Sequence, residues 1–486
     1  MGNKENIARI VGNDRIITDK EALERYGSDS SFVLGEVPEF IVKLRNLEEV
    51  QKLVMLANED GFALIPCSSQ GRRFKGDTVP GVPGAVIADL SEMKSIVRID
   101  KRNKVAMIEP GVTFGDLQAA VEKEGLRVEM PLHPKKTKSV VASLLDREPT
   151  TGPKYNWDAT DPLGCLELIF GNGEMFRTGN AAGPGTLEEQ WAAGQAQKMP
   201  MGPAQTDIAR LIQGSQGAFA IATWATIKLE LMHKIRKGFF VAGQSPDELI
   251  DFTYKILWRK IPDLCLILNG ADLAAIYGKD STDMPPWVLI YSISGLDHFP
   301  EERVRYLEDD LGEIAREFAV TPTQHIEGIS AIKLMDVICR PSDEPFWKLR
   351  LKGGCVDLFF LTTLDRTSEF IEVMDIQIAE YGLPKENLGI YIQPIRHGTG
   401  CHIEFSLMYD PENSEETERV KALLNSASRA CIDKGGFFSR PYGAWADMIY
   451  KKCPDTANAL KKMKDIFDPN GILNPGKLCF GKGVRA

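Results

Sequence analysis

Residues 465–480 read DIFDPNGILNPGKLCF. Pro469, Asn470 and Gly471 force one turn, and Asn474, Pro475 and Gly476 force another. What lies between them is extended and irregular, a shape that core packing alone rarely selects, so this tail is expected to meet something other than its own core. The question is where the rest of the chain supplies that surface.

Near the other end, PEFIVKLRNLEEVQKLVMLANEDGFALIPCSS (38–69) reads as strand, helix and second strand. Asn46 is a good N-cap, Glu49 completes a capping box, Leu47, Val50, Val54 and Ala57 share one face, and Gly61 ends the helix. Further strands are expected near 85–90, 96–100 and 105–109, then a helix opened by Thr113 and closed by Gly125. CLELIFGNGEMFRTG (165–179) predicts a hairpin whose Asn172–Gly173 supplies two positive-φ positions. FAIATWATIKL (219–229) is one more strand. Beyond residue 230, strands near 264–270, 287–294, 355–364, 388–396 and 401–408 alternate with helices near 299–319, 366–382 and 414–433, which suggests an antiparallel sheet backed by helices on one face.

A chain of 486 residues is too long for one core, so two or three domains are expected. Its 68 acidic and 58 basic residues leave a net charge of −10, a balance that repels nucleic acid. No apolar run is long enough to span a bilayer, and the first ten residues lack a signal-peptide core, so a cytoplasmic location is expected. The nine cysteines are singletons without metal spacing, read as buried, reduced thiols. No metal site is expected.

Two loops offer chemistry. Ser68-Ser69-Gln70-Gly71-Arg72-Arg73-Phe74-Lys75-Gly76 directly follows a strand, bringing backbone N–H groups and three cations to a sheet edge in a manner suited to a diphosphate. Glu109-Pro110-Gly111-Val112-Thr113 opens a helix whose N-terminus attracts anions.

Taken together, the FDPNGILNPGK tail, the EPGVTFGDL turn, the polar loop and the FGNGEMFRTG hairpin resemble the FAD-linked oxidases of the vanillyl-alcohol oxidase and p-cresol methylhydroxylase (PCMH) family. The resemblance spans nearly the whole chain. It implies an α+β fold, with a two-part PCMH-type FAD-binding domain (1–230, plus 431–486 returning to it) and an inserted antiparallel α+β cap, or substrate, domain (231–430). It also implies that FAD lies along Ser68, Ser69, Gln70, Gly71 and Arg72, with Leu144, Leu145, Asp146 and Arg147 as a second contact segment. Gly214, Gly217 and Ile221 form the third, and Asn474 and Lys477 close the site from the tail. The places where relatives bond FAD covalently carry no His, Tyr or Cys here, so non-covalent FAD is expected, with His133 as the exception to check.

The same resemblance makes Arg440, with Tyr442 nearby, the group that holds an anionic substrate. It puts His402 and Glu404 on a cap strand facing the flavin, two residues apart and therefore on one face, where either can act as general base. The implied activity is hydride transfer between an organic substrate, anionic and aromatic or hydroxylated, and FAD. Electrons would pass to a partner protein, such as an iron–sulfur or electron-transfer subunit, or to a quinone, within a homo- or hetero-oligomer. Two alternatives stand beside it: a flavin-free structural or regulatory subunit, and a reductase running the reaction in reverse.

Overall fold

A computed structural model describes residues 2–154, 161–195, 197–199, 208–279, 281–482 and 484. Among the described residues three large sheets carry the chain, beside a two-stranded one of His325–Ile326 and Ile329–Ser330. In the first, strands Phe40–Lys43, Val86–Asp89 and Leu64–Cys67 run parallel, with Ile16–Ile17 antiparallel at one edge. The helix Leu47–Asp60 crosses over between its strands. Asn46 caps it by accepting from the Glu49 N–H at 3.0 Å, and Gly61 closes it. The expected capping box is not formed: the Glu49 carboxylate accepts instead from the Arg45 N–H and pairs with Arg15. Val50, Leu53, Val54 and Ala57 are the buried face.

The second sheet is antiparallel, in the order Ile96–Asp100, Val105–Ile108, Ala220–Leu231, Leu163–Phe170, Met175–Arg177. Its hairpin differs from expectation. Phe170 pairs with Glu174 across a three-residue loop in which only Gly173 has positive φ, +85°, whereas Asn172 does not. A three-residue loop with one left-handed glycine closes a hairpin as well as the two-residue turn does.

The third sheet has six antiparallel strands: Ile235–Gly243, Trp287–Gly295, Leu264–Asn269, Leu388–Ile395, Gly400–Tyr409 and Gly354–Thr362. Helices Asp247–Trp258, Pro300–Glu317, Thr367–Glu380 and Ser414–Asp433 pack on one face around Phe252, Ile267, Phe360, Phe370, Phe405 and Leu423. The other face is not bare, contrary to the one-sided expectation. Helices Gly270–Tyr277 and Ala331–Ile338 cover half of it around Leu266, Leu273, Val288 and Leu334. Residues 270–276 are buried all round, as a helix apolar on every side must be. The uncovered half faces the first two sheets.

The tail closes this architecture. Leu473 pairs in parallel with Leu64 at the free edge of the first sheet, through Leu64 N–H to Ile472 C=O (2.8 Å) and Asn474 N–H to Leu64 C=O (2.9 Å). Asp468, fully enclosed, accepts from the Ile472 and Leu473 N–H groups and pairs with buried Lys464, whose ammonium also donates to the Leu473 carbonyl at 2.8 Å. The two turns thus bend the tail around a buried ion pair. Among the described residues no helix is long and apolar enough to cross a membrane. Six cysteines are buried, as expected, but Cys453 is exposed.

Candidate active site

A cavity of about 260 Å³ runs from the loop after Cys67, between the first two sheets, to the uncovered half of the third. Its inner walls are apolar: Pro66, Leu90, Pro110, Val141, Leu145, Ile212 and Ile221. Its far end is polar and aromatic: Lys348, Asp357, Phe359, Tyr391, His402, Glu404 and Arg440. A flat, mostly apolar ring with one polar edge suits the inner slot.

The segments that the sequence assigned to FAD meet here unequally. Ser68, Ser69, Arg72, Leu145, Asp146, Gly217 and Ile221 line the cavity. Gln70 and Gly71 are exposed beside it, the Gln70 N–H donating to the Thr137 carbonyl at 3.1 Å. Leu144 lies in the core of the second sheet, and Arg147 turns away to donate to the Gln213 carbonyl at 2.5 Å. Gly214 donates to the Leu145 carbonyl at 2.7 Å, bracing that segment from outside. Asn474 and Lys477 do not reach the cavity. The Asn474 amide donates to the carbonyls of Asp77 (2.8 Å) and Gln216 (2.6 Å), and the Lys477 ammonium to those of Gly76 and Val79 (2.6 Å each). They fasten the two loops that form its wall. His133 is also outside, its Nδ1 2.8 Å from the Arg340 carbonyl.

The three loop cations do not converge. Arg72 donates to Ser30 Oγ and the Gly353 carbonyl, and Arg73 to backbone near Ser28 and Thr78 while lying over the Tyr26 ring. Lys75 is paired with Asp146 at 2.7 Å and with Glu148, which also holds Lys138. Burial alone would depress the Lys75 ammonium, but these carboxylates hold it well above its ordinary range. Tyr442 belongs to this cluster, donating to Asp146 at 2.6 Å.

Even so, the loop fits a diphosphate. The N–H groups of Ser69, Gly71 and Arg72 find no protein acceptor among the described residues, and the buried Thr137 hydroxyl beside Gly71 has no partner. Lys135, buried against the Phe74 ring, donates to the Arg72 carbonyl and pairs with no carboxylate among the described residues. Burial pushes its ammonium down to about 8. Backbone donors with an adjacent cation form an anion cradle.

Gly217 shapes the slot most sharply: at φ +70° its missing Cβ would lie 2.4 Å from Pro66 Cγ. Gly217→Ala should therefore cost about 1–3 kcal/mol in strain and weaken FAD retention. Denaturant midpoint and flavin fluorescence on dilution check this, and an unchanged midpoint would show that the loop adapts.

At the far end, strand alternation puts His402, Glu404 and Ser406 on the face toward the cavity, with Tyr391 and Phe359 flanking Glu404 and Gln393 flanking His402. Lys348 Nζ sits 2.7 Å from Asp357 and 2.5 Å from Glu404. The other Glu404 oxygen is 3.3 Å from His402 Nε2. Burial pushes the Glu404 carboxyl up, yet Lys348 and His402 together hold it well below the usual range. Burial lowers the His402 imidazole, so it is neutral near pH 7. An ionised carboxylate only accepts, so Nε2 carries the proton and Nδ1, which has no partner among the described residues, is bare. Arg440 is only 4% exposed and lies 4.3 Å over the Phe359 ring, and its guanidinium makes no hydrogen bond or ion pair among the described residues.

Lys348, Asp357 and Lys135 were not visible as site residues in the sequence. Asp357 lies on an expected strand, facing the cavity from a position that the strand's alternation contains. Lys348 sits among Phe346–Lys352 in what reads as a basic surface turn.

The chain is similar to known proteins. Residues 38–179 match the model of an FAD binding domain, and residues 366–478 match that of the C-terminal domain of FAD linked oxidases. The chain is 23% identical to glycolate oxidase subunit GlcD of Bacillus subtilis, over 99% of this chain and 97% of that one. It is 23% identical to the flavoprotein subunit of 4-cresol dehydrogenase [hydroxylating] of Pseudomonas putida, over 96% and 93%. The crystal structure of p-cresol methylhydroxylase with substrate bound superposes with a TM-score of 0.85 at 18% identity, covering 99% of this chain and 96% of that one. The two family models together identify the chain as an FAD-linked oxidoreductase of the FAD linked oxidases, and its fold is that of p-cresol methylhydroxylase from end to end.

Proposed function

We propose that the protein is an FAD-dependent dehydrogenase of a small organic anion, aromatic or hydroxylated, whose negative group seats on Arg440 and whose acidic proton goes to His402. The observation that carries this reading is the buried guanidinium, which has the Phe359 ring but no hydrogen-bond acceptor or counter-charge among the described residues. Burying an uncompensated charge costs several kcal/mol, and a site that tolerates this cost is poised for an anion brought by the ligand. Phe359, Tyr391 and Trp347 supply aromatic walls around it. One relative is named for glycolate and another for 4-cresol, and both names fit a hydroxylated substrate that carries or develops negative charge.

In this reading residues 1–230 and 431–486 hold FAD and residues 231–430 cover the substrate. FAD, when bound, supplies a two-electron acceptor for hydride. The backbone N–H groups of Ser69 and Gly71, with Lys135, hold its diphosphate, and the apolar slot beside Gly217 and Ile221 holds its ring. Binding is non-covalent. Of the nucleophiles in the cavity, the Cys67 thiol is pushed up to about 12 by burial, Tyr391 donates to Gln393, and His402 is engaged with Glu404. Arg440 orients the substrate, and His402 Nδ1 takes the proton of the group being oxidised while Glu404 stabilises the imidazolium that results. Onward transfer to a partner protein or quinone completes the proposal.

An anaerobic panel of hydroxy acids and phenols, read by bleaching of the flavin, tests the reading. At least one anionic member should bleach it and its neutral analogue should not; bleaching by neutral analogues alone would sink it. His402→Gln should slow bleaching by roughly 10²–10⁴-fold. The wild-type pH profile should carry the sign of a depressed histidine. A base works only while unprotonated, so the rate should hold down through about pH 6.5 and fall only at lower pH. A limb above that value would point to another base.

A further inference from the structure

We infer that Lys348 is a positioning residue for this site: its ammonium, clamped between Asp357 and Glu404, keeps Glu404 a carboxylate and thereby fixes His402 with its proton on Nε2 and Nδ1 bare. The inference rests on the reading of His402 as proton acceptor, and adds the device that keeps that acceptor in working form.

Lys348 comes from the one-turn helix Trp347–Leu349, and only 6% of it is exposed. The cross-strand register pairs Asp357 with Ser406 and Phe359 with Glu404, so Asp357 and Glu404 are diagonal neighbours on one sheet face. Both reach the same Nζ, so the two carboxylates can be no farther apart than the two bonds laid end to end. A third acid stands behind them. Asp272, in the first turn of the helix Gly270–Tyr277, is fully buried with neither oxygen bonded, packed where a Cβ on Gly389 would lie 2.0 Å from Oδ1. Burial pushes its carboxyl up to about 7. Three acids thus surround one ammonium, Asp272 fully buried and Asp357 and Glu404 half-buried, and Arg440 is the other cation near His402.

Remove that ammonium and like charges at this spacing cannot all remain ionised, so a proton enters from solvent. Ser406 Oγ donates to Asp357 at 3.0 Å, although burial holds that carboxyl above its ordinary range even beside Lys348; Glu404, which Lys348 and His402 hold down, would be left with only the imidazole. A protonated Glu404 donates to Nε2, and the imidazole proton moves to Nδ1. The histidine would remain in place, neutral and hydrogen-bonded, yet hold no lone pair toward the substrate. Nothing else in the surroundings of His402 would need to move.

The test is nitrogen NMR of FAD-loaded protein labelled at its six histidines, with the His402 signals assigned by their loss in His402→Gln. Wild type should show the proton on Nε2. Lys348→Met should move it to Nδ1, slow substrate-driven bleaching by roughly 10²-fold or more, and leave FAD content and substrate Kd near wild type. Lys348→Arg, which restores the charge, should return the proton to Nε2 and recover much of the rate. If Lys348→Met does not fold, Lys348→Gln keeps a donor between the carboxylates without the charge, and should give the same proton shift. A His402 proton that stays on Nε2 in the folded charge-removing variant overturns the role of Lys348 and leaves His402 as acceptor standing. A wild-type proton on Nδ1 overturns both.

Discussion

Arg440→Met should give a folded, yellow protein that its substrate no longer bleaches. Among the described residues the arginine touches no hydrogen-bond acceptor, so none of them loses a hydrogen bond with it. It loses a stack on Phe359, which a methionine of similar length partly replaces. What disappears is a buried charge, and the enzyme should therefore resist denaturant as well as wild type or better. The bound substrate, by contrast, would be left as an unpaired buried anion, a loss of about 2–5 kcal/mol. That is a fall in kcat/KM of roughly 30-fold to several thousandfold. Stability and activity should thus move in opposite directions. A variant that loses stability while keeping its bleaching rate would show that the guanidinium is a packing element and that the anion sits elsewhere.

Asp468→Ala should be the most damaging single change in the tail. The Asp468 carboxylate accepts from two backbone N–H groups, at 3.0 Å from Ile472 and 2.9 Å from Leu473, and neutralises Lys464 inside the protein. Removing it takes the paired carboxylate away from a buried ammonium that still donates to the carbonyls of Ala218 and Leu473, a loss of about 3–5 kcal/mol. The same change frees the turn that sets Leu473 against Leu64, so the protein should also be purified with little FAD. Adding Lys464→Met to Asp468→Ala should recover part of the stability, because an apolar pair is better than a lone charge. Guanidinium unfolding and the flavin-to-protein absorbance ratio report the two effects. A loss below about 1 kcal/mol would mean that the ion pair is solvated and does not hold the tail.

How much of this was legible beforehand depends on the range of the interaction involved. The Asn46 cap, the Gly61 stop and the alternation that puts His402 and Glu404 on one face are local, and the sequence carries them openly. The two tail turns were legible for the same reason, but the family resemblance gave only their return to the FAD-binding domain, and the partner edge at Leu64 emerged from the structure. The uses of the charged side chains were not legible. Arg72, Arg73 and Lys75 look like one cationic loop in the sequence, but each finds a different partner from 42 to 281 positions away. Lys348 is the converse case: a lysine in a basic turn that becomes the centre of a buried acidic cluster only when the strands carrying Asp357 and Glu404 pair. The helix Gly270–Tyr277, too short and too uniformly apolar to show a period, hid the second cover of the cap sheet.

The pairing of Leu473 with Leu64 has a temporal side. A ribosome releases the first sheet about four hundred residues before the strand that seals its edge, an interval of roughly 20–80 seconds at 5–20 residues per second. Throughout that time the nascent chain carries an open row of backbone donors and acceptors beside an unfinished slot, the kind of edge that recruits stray strands. Closure of the slot therefore waits until Leu473 has been made, long after the sheet whose edge it seals.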